Sequence, residues 1–110
     1  MTMYVIADIC IVPMGVGPSV SEYVTRAHQI LKEANLNARL HAYGTNVEGE
    51  FDAVMAALKR AHAALHEMGV PRLSTTIRLG TRIDKEQKID DKIRVVEERL
   101  QEEKSASNGG

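Results

Sequence analysis

The stretch that decides the fold is YGTNVEGE, residues 43–50, because it joins two extended segments with no helix between them. Just before it, residues 38–43 alternate small or apolar side chains with polar ones, which is typical of a half-exposed strand. Residues 44–46, Gly-Thr-Asn, are a turn signal, and residues 47–49 are long enough for a short returning strand. The stretch therefore predicts a β-hairpin in the middle of the chain, followed at once by a helix from Phe51.

The segment upstream of the hairpin predicts a buried strand and then a helix. Residues 3–12 are rich in Val and Ile, and both of their alternating faces are largely apolar, as in a central strand that is covered on two sides. Pro13 and the Gly and Pro residues after it end this strand. Residues 19–22, Ser-Val-Ser-Glu, have the spacing of a capping box, in which the first serine accepts from an early amide and the glutamate returns the bond. Apolar residues at helical spacing continue the helix to about Asn35.

The segment downstream predicts a second helix, a strand and a last helix. Residues 51–68 carry an apolar stripe at helical spacing, and Gly69 stands where a left-handed residue ends a helix. Residues 72–83 alternate apolar and polar side chains, as a strand does. Asp84 and Gln87 indicate another capping box before the last helix. The narrow apolar stripe of that helix consists of Ile89, Ile93, Val96 and Leu100.

The order strand-helix-strand-strand-helix-strand, with a terminal helix added, predicts the α+β fold class and a ferredoxin-like βαββαβ sandwich with an additional C-terminal helix. We expect a single domain over residues 1–103 and a disordered polar tail over residues 104–110. Helices cover only one face of such a sheet, so the apolar second face of the first strand needs another cover. A partner subunit is the simplest cover, and we therefore expect self-association.

Composition excludes several classes of function. The 110 residues carry a formal net charge of -1, which gives no field to attract nucleic acid or an anionic membrane surface. No run approaches about 20 consecutive apolar residues, so no membrane span is predicted. Cys10 is the only cysteine, which fits a reducing compartment, and we expect a cytoplasmic protein. Motifs for dinucleotides, phosphates and catalytic nucleophiles are absent, so no cofactor is predicted.

Short motifs occur in a characteristic order along the chain. They are YGTNVEGE at 43–50, Pro13-Met14-Gly15, Ser19-Val20-Ser21-Glu22-Tyr23, and then Gly69, Arg72, Thr75-Thr76, Arg82 and Lys85. In this order and spacing, over about residues 3–100, the chain resembles the thiamine-binding (MTH1187/YkoF-like, UPF0045) family of small ferredoxin-like proteins. The resemblance implies non-catalytic binding of thiamine or its hydroxymethylpyrimidine moiety by a homotetramer that is built as a dimer of dimers.

Thr45 and Glu48 are the first candidates for the ligand site that this resemblance implies. A carboxylate can pair with a ring nitrogen and an exocyclic amine, which suits the aminopyrimidine ring of thiamine, and Thr45 can donate or accept beside it. The alternative is that Thr45 and Asn46 simply make the turn, while Glu48 is solvated near a helix start and favoured by the helix dipole.

The other predicted ligand-binding residues are Ser21, Tyr43, Asn46 and Arg72. The resemblance places the stretch around Ser21 near the ligand pocket, although this serine also lies in the predicted capping box. Tyr43 can stack on a flat ring or pack against the neighbouring strand. Arg72 belongs to a basic row with Arg78 and Arg82, and such a row can hold a phosphate or carboxylate or form salt bridges at an interface.

Two further sets of residues leave alternatives open. His62 and His66 have the spacing of two metal ligands on one helix face, but no third ligand completes a motif, so no metal site is predicted. A small cofactor-independent enzyme on the same fold would need a titratable group in a cleft, for which His41 and Asp8 are the candidates. An oligomer with a purely structural or interaction role is the third alternative.

Overall fold

A computed structural model describes residues 2–108, which form four strands and three helices. The elements are β1 (Tyr4–Met14), α1 (Ser21–Glu33), β2 (Arg39–His41), β3 (Gly44–Glu50), α2 (Phe51–Glu67), β4 (Arg72–Thr81) and α3 (Ile89–Asn108). The strands form one sheet in the order β2-β3-β1-β4, and every neighbouring pair is antiparallel. This order confirms the predicted ferredoxin-like α+β fold, with α3 as the additional C-terminal helix.

The hydrophobic core lies between the sheet and the pair of helices α1 and α2. Val5, Ala7 and Ile9 alternate towards this helix-covered face of β1 and are at most 2% exposed. The buried side chains of α2 are Val54, Ala57, Ala61 and Leu65. Each buried Val, Leu or Ile contributes about 1.5–3 kcal/mol, so the inward row of β1 and the stripe of α2 hold the layers together.

The hairpin turn lies earlier than the sequence predicts. β2 ends at His41, Ala42 and Tyr43 form the turn, and Gly44 is already the first residue of β3. The prediction of a turn at residues 44–46 is therefore wrong. Gly44 is a glycine for another reason: a Cβ on it would lie 2.4 Å from the carbonyl oxygen of Ile9, so only glycine lets β1 and β3 approach so closely.

The predicted capping box at residues 19–22 is also wrong. α1 begins at Ser21, and the residue at its N-cap position, Val20, has a near-helical backbone and no side-chain cap. The carbonyl of Val20 instead accepts from the amides of Tyr23 and Val24, at 3.1 and 3.0 Å. Ser19 consequently stands one residue too early for its hydroxyl to cap the helix.

The C-terminal end of α2 confirms the predicted role of Gly69. This glycine has φ +96°, a left-handed conformation that residues with a side chain rarely adopt. Its amide donates to the carbonyl of His66, and the amide of Val70 donates to the carbonyl of Leu65. Both bonds belong to the Schellman motif, which satisfies the last carbonyls of a helix. The other end of α2 is capped by the Glu50 carboxylate, which accepts from the Ala53 amide at 3.1 Å.

The start of α3 lies later than the predicted capping box at Asp84 and Gln87. Both of those side chains instead accept hydrogen bonds from the guanidinium of Arg82. The first turn of α3 is capped by Asp91, which accepts from the Lys88 amide at 3.0 Å. The tail expected over residues 104–110 is helical as far as Asn108, and residues 109–110 lie outside the described residues.

The second face of the sheet, opposite α1 and α2, is largely uncovered. Tyr4, Val12 and Met14 of β1 point to this face and are 41–47% exposed. α3 contacts the sheet only at its first turn, where Ile89 is buried. We call this N-terminal turn the root of α3. The radius of gyration is 17.4 Å, compared with about 13 Å for a compact chain of this length, because α3 projects away from the domain. Within residues 2–108, no helix combines the length and apolar character that crossing a bilayer requires.

Candidate functional site

Thr45 is a buried polar residue on the helix-covered face of β3. It pairs with Ile9 of β1 and Leu40 of β2 in the sheet register, and it is 5% exposed. Its Oγ1 lies 3.2 Å from Nδ1 of His28 on α1. A buried hydroxyl without a hydrogen bond costs free energy, and His28 supplies the partner.

A pocket of about 240 Å³ opens beside this pair, between α1, the end of β1 and the β2–β3 hairpin. We call it the helix-side pocket. Its lining is mainly apolar, and its polar residues include Thr45 and His28. Its volume is below the range of about 300–1,000 Å³ that is typical of sites for drug-sized ligands. The pocket therefore suits one ring with small substituents.

The Thr45–His28 pair can both donate and accept towards such a ring. A hydroxyl has one proton and two lone pairs, and a neutral imidazole has one donor and one acceptor nitrogen. If His28 Nδ1–H donates to Thr45, the hydroxyl proton is available to the ligand. If the hydroxyl donates to Nδ1, its lone pairs can accept a hydrogen bond from the ligand. The pair can thus adapt to either the donor or the acceptor pattern of a heteroaromatic edge.

Sequence reasoning missed His28, although a signal for it was present. His28 follows Val24 by four residues and precedes Leu31 by three, so it lies on the inward stripe of α1. A polar residue on such a stripe needs a buried partner or a ligand, and this stripe faces the sheet.

Two other predicted residues lie near the mouth of the helix-side pocket. Tyr43 is in the hairpin turn, lines the pocket and is 85% exposed. Ser21 is the first residue of α1, directly after Val20, which lines the pocket. The carbonyl of Ser21 accepts from the Thr25 hydroxyl at 2.7 Å. The structure therefore brings Thr45, Tyr43 and Ser21 to the same end of the sheet.

Glu48 lies on the opposite face of the sheet from Thr45. It is 6% exposed, and both of its carboxylate oxygens accept hydrogen bonds. The side-chain amide of Asn37 donates at 2.9 Å, and the backbone amide of Ile89 donates at 2.7 Å. Because residues three apart in a strand point to opposite faces, Thr45 and Glu48 cannot read one ring from one cleft. The expectation of a shared cleft is wrong, since it rested on the misplaced turn.

Asn46 and Arg72 also belong to the second face. Asn46 pairs with Asp8 in the register, and Arg72 pairs with Met14 at the far end of β4. Of the remaining basic row, Arg78 stands opposite Asp8 in the register, whereas Arg82 is engaged with Asp84 at 2.5 Å. The hydrogen bond from Arg82 lowers the pKa of Asp84 to about 2.

A larger cleft, of about 690 Å³, lies on the second face between the sheet and the root of α3. We call it the second-face cleft. At its edge, His41 Nε2 lies 2.5 Å from Asp8 Oδ1, while His41 Nδ1 accepts from the Tyr43 amide at 3.2 Å. Both ring nitrogens of His41 thus have protein partners, and the pair holds the hairpin turn against β1.

The two histidines of α2 each have a hydrogen-bond partner as well. His62 Nε2 lies 2.6 Å from the Thr75 hydroxyl, and His66 Nδ1 lies 2.7 Å from the Val70 carbonyl oxygen. Burial, and to a smaller extent the neighbouring His66, lower the pKa of His62. Among the residues whose positions are described, no cluster of three or more His, Cys, Asp or Glu side chains could hold a metal ion.

Comparison with known proteins finds clear relatives. A family model described as thiamine-binding protein matches residues 7–97. The UPF0045 protein sll0230 of Synechocystis is 50% identical over 95 residues, which are 86% of this chain and 78% of the relative. The UPF0045 protein ECM15 of Eremothecium gossypii is 43% identical over 89% of this chain and 94% of its own length.

Solved structures with the same fold are also known. The structure of protein MJ1052 of Methanocaldococcus jannaschii matches with a TM-score of 0.80 at 35% identity, over 86% of this chain and 97% of the other. Protein TM0486 of Thermotoga maritima matches with a TM-score of 0.71 at 22% identity, over 84% of this chain and 98% of the other. At that identity the second match supports the fold alone.

Proposed function

This chain belongs to the thiamine-binding protein family, and from that membership we propose that it binds thiamine or its hydroxymethylpyrimidine moiety without catalysis. The observation that carries the proposal is the Thr45–His28 pair in the wall of the otherwise mainly apolar helix-side pocket. Ligand pockets of this kind hold a ring by apolar contacts and orient it by a few polar groups.

The pyrimidine half of thiamine matches this pocket in size and polarity. Its ring nitrogens accept hydrogen bonds and its amino group donates, so Thr45 and His28 can pair with one edge of the ring. Because the pocket holds about 240 Å³, the thiazolium half remains near the mouth. The exposed ring of Tyr43 stands there and can cover that cation, with Ser21 as a nearby hydroxyl.

This proposal gives the residues of the second face a different task. Glu48 already accepts two hydrogen bonds from the protein, so we assign it to anchoring α3. Asn46 and Arg72 lie on the same second face and outside the helix-side pocket. Ligand recognition is thereby assigned to the hairpin and α1.

Calorimetric titration with thiamine and with hydroxymethylpyrimidine tests the proposal. We expect saturable binding of one ligand per chain, weakened by about 1–3 kcal/mol, or about 5–150-fold, in Thr45→Ala, because a buried ligand group loses its partner. Thr76→Ala is the matched control, since Thr76 is exposed on the other face of the sheet. The proposal fails if neither compound produces heat with the unmodified protein, or if both variants bind equally well.

Proton NMR of the same ligands distinguishes binding from turnover. After prolonged incubation with the protein, the proton NMR spectrum of the ligand is expected to be unchanged. New resonances would instead favour the enzyme alternative, for which Asp8 and His41 are the titratable candidates. We also propose that the protein acts in the cytoplasm, because its only cysteine, Cys10, is free.

Self-association is the last part of the proposal. We propose a homotetramer built as a dimer of dimers, and the support is the uncovered second face of the sheet. Large exposed apolar side chains there include Tyr4, Val12 and Met14. Soluble proteins seldom leave such a surface in water unless it is an interaction site.

A further inference from the structure

Among the described residues, two apolar surfaces lack a cover, and they belong to different elements. The first is the second face of the sheet, with Tyr4, Val12 and Met14 exposed. The second is the stripe of α3, where Ile93, Val96 and Leu100 are 46–59% exposed. Ile89, the first residue of the same stripe, is 4% exposed because it lies on the sheet. The stripe therefore begins on the sheet and then leaves it.

The two surfaces meet at the second-face cleft, where the stripe begins. The second-face cleft is lined by Ile6 and Gly80 of the sheet and by Ile93 of α3. The root of α3 is held by Glu48, and by Arg39, whose guanidinium contacts Asp90 at 2.6 and 2.9 Å. This anchoring directs α3 away from its own sheet, so the chain cannot close the cleft by itself.

We propose that α3 of one copy lies across the second face of the sheet of another copy, and that the second copy does the same in return. This inference rests on the proposed self-association and specifies its contact. Each surface supplies the apolar cover that the other lacks. Such a reciprocal exchange has two-fold symmetry and forms a closed dimer, the unit from which a larger assembly can be built.

The dimensions agree with this arrangement. α3 has 20 residues and a length of about 30 Å, while the ten residues of β4 span about 33 Å. Each contact of one α3 with a sheet covers about 30 by 10 Å on the helix and the same area on the sheet. The two contacts of the dimer therefore remove roughly 1,200 Å² of total surface from water, which is at the lower end of the range for stable interfaces.

The second-face side of β4 can also receive a helix. Ser74, Thr76 and Gly80 are small, and a Cβ on Gly80 would meet no atom within 4 Å. A helix backbone can come close where side chains are small. Arg72 and Arg78 flank these positions, and neither forms an ion pair within the described residues. Their charges are thus available to carboxylates of a partner.

Cys10 provides a native probe of this contact. It lies in the middle of β1 on the second face, it is partly exposed, and it is the only cysteine of the chain. We would place single cysteines on the stripe of the full-length protein, as Ile93→Cys, Val96→Cys and Leu100→Cys. A short bismaleimide then joins thiols that are too far apart for a direct disulfide. Glu98→Cys is the control, because residue 98 lies on the opposite side of α3 from the stripe.

We expect at least one stripe variant to form a covalent dimer that disappears when Cys10→Ser is added, and Glu98→Cys to form none. A dimer that survives Cys10→Ser would show helix-to-helix pairing and overturn the proposal. A dimer of the unmodified protein through two Cys10 thiols would show face-to-face packing and also overturn it. If sedimentation equilibrium shows only monomer, self-association itself fails. If it shows an oligomer but no stripe variant cross-links through Cys10, only the exchange of α3 is refuted.

Discussion

At the scale of single residues, Gly44 determines how closely the hairpin approaches the central strand. Its missing side chain leaves room for the carbonyl oxygen of Ile9, which would lie 2.4 Å from a Cβ. The next residue, Thr45, pairs with Ile9 on the helix-covered face and is buried beside His28. A side chain at position 44 would therefore disturb the strand pairing that places Thr45 at the helix-side pocket.

We predict that Gly44→Ala destabilises the protein by about 1–3 kcal/mol, because the new methyl group meets backbone atoms of a central strand that cannot move aside cheaply. Gly80→Ala is the matched control on protein diluted to the monomer, since a Cβ there meets no atom of the same chain within 4 Å. Urea unfolding of both variants measures the difference. Equal midpoints for the two variants would contradict this account of Gly44.

At the scale of secondary-structure elements, β3 serves two sites at once through its alternation. Thr45 points to the helices and the pocket, while Glu48 points to the second face and binds the root of α3. Glu48 is buried, and its charge is stabilised by the Asn37 and Ile89 donors and by the N-terminal end of α3. A buried carboxylate needs such partners, which explains why the loop before β2 and the start of α3 converge on it.

Replacing Glu48 separates anchoring from ligand binding. We predict that Glu48→Ala lowers the free energy of unfolding by about 1–3 kcal/mol, because two donors lose their acceptor. Ligand affinity measured at a temperature where the variant is folded is expected to be unchanged. Glu98→Ala, on the exposed side of α3, should stay within about 0.5 kcal/mol of the parent protein. If Glu48→Ala has normal stability but no longer binds thiamine, Glu48 belongs to the ligand site and the anchoring role is wrong.

The contact between α2 and β4 carries a pH dependence. Because burial and His66 lower the pKa of His62 below its usual 6.5, the unfolded chain takes up a proton at His62 more readily than the folded one. The contribution of His62 to stability is therefore complete above that usual value and is lost as the pH falls. We predict that stability drops less in His62→Gln than in the parent protein between about pH 7 and pH 5 in urea unfolding. Parallel pH profiles would refute this.

At the scale of the whole molecule, the radius of gyration of 17.4 Å describes a domain with an arm rather than a closed globule. The arm is α3, whose stripe is exposed and whose direction is set at its root by Glu48 and Asp90. A single chain buries its core against α1 and α2 but leaves the second face in water. The self-association that we propose would remove that surface from water.

Sedimentation equilibrium tests this assembly directly. We predict a mass of four chains at micromolar concentration, with the dimer as the intermediate on dilution. The reason is that the second face and the stripe of α3 are exposed apolar surfaces, and in our proposal another copy of the chain covers them. Lys59→Ala, at an exposed position of α2 outside both the second face and the stripe of α3, serves as the control for handling. A monomer at all concentrations would contradict the prediction.

The order of elements could be predicted from the sequence because the spacing of apolar residues differs between strands and helices. The ferredoxin-like fold followed from a largely apolar run in β1, apolar residues at alternate positions in β4, and apolar stripes at helical spacing in α1 and α2. Gly69 was correctly placed because a left-handed helix end is a local requirement. The starts of α1 and α3 were placed poorly, since Val20 and Asp91 replace the predicted caps through contacts that a short motif does not specify. The start of α2 at Phe51 was predicted correctly.

The sequence by itself therefore determined the element types, the fold and the family of this protein, all of which depend on local pattern and order. Tertiary structure alone decided that Gly44 is required by the backbone of β1, that His28 joins Thr45, and that Glu48 faces away from both. A shift in the position of one turn changes which face each strand residue points to, and only pairing with the neighbouring strands sets that register.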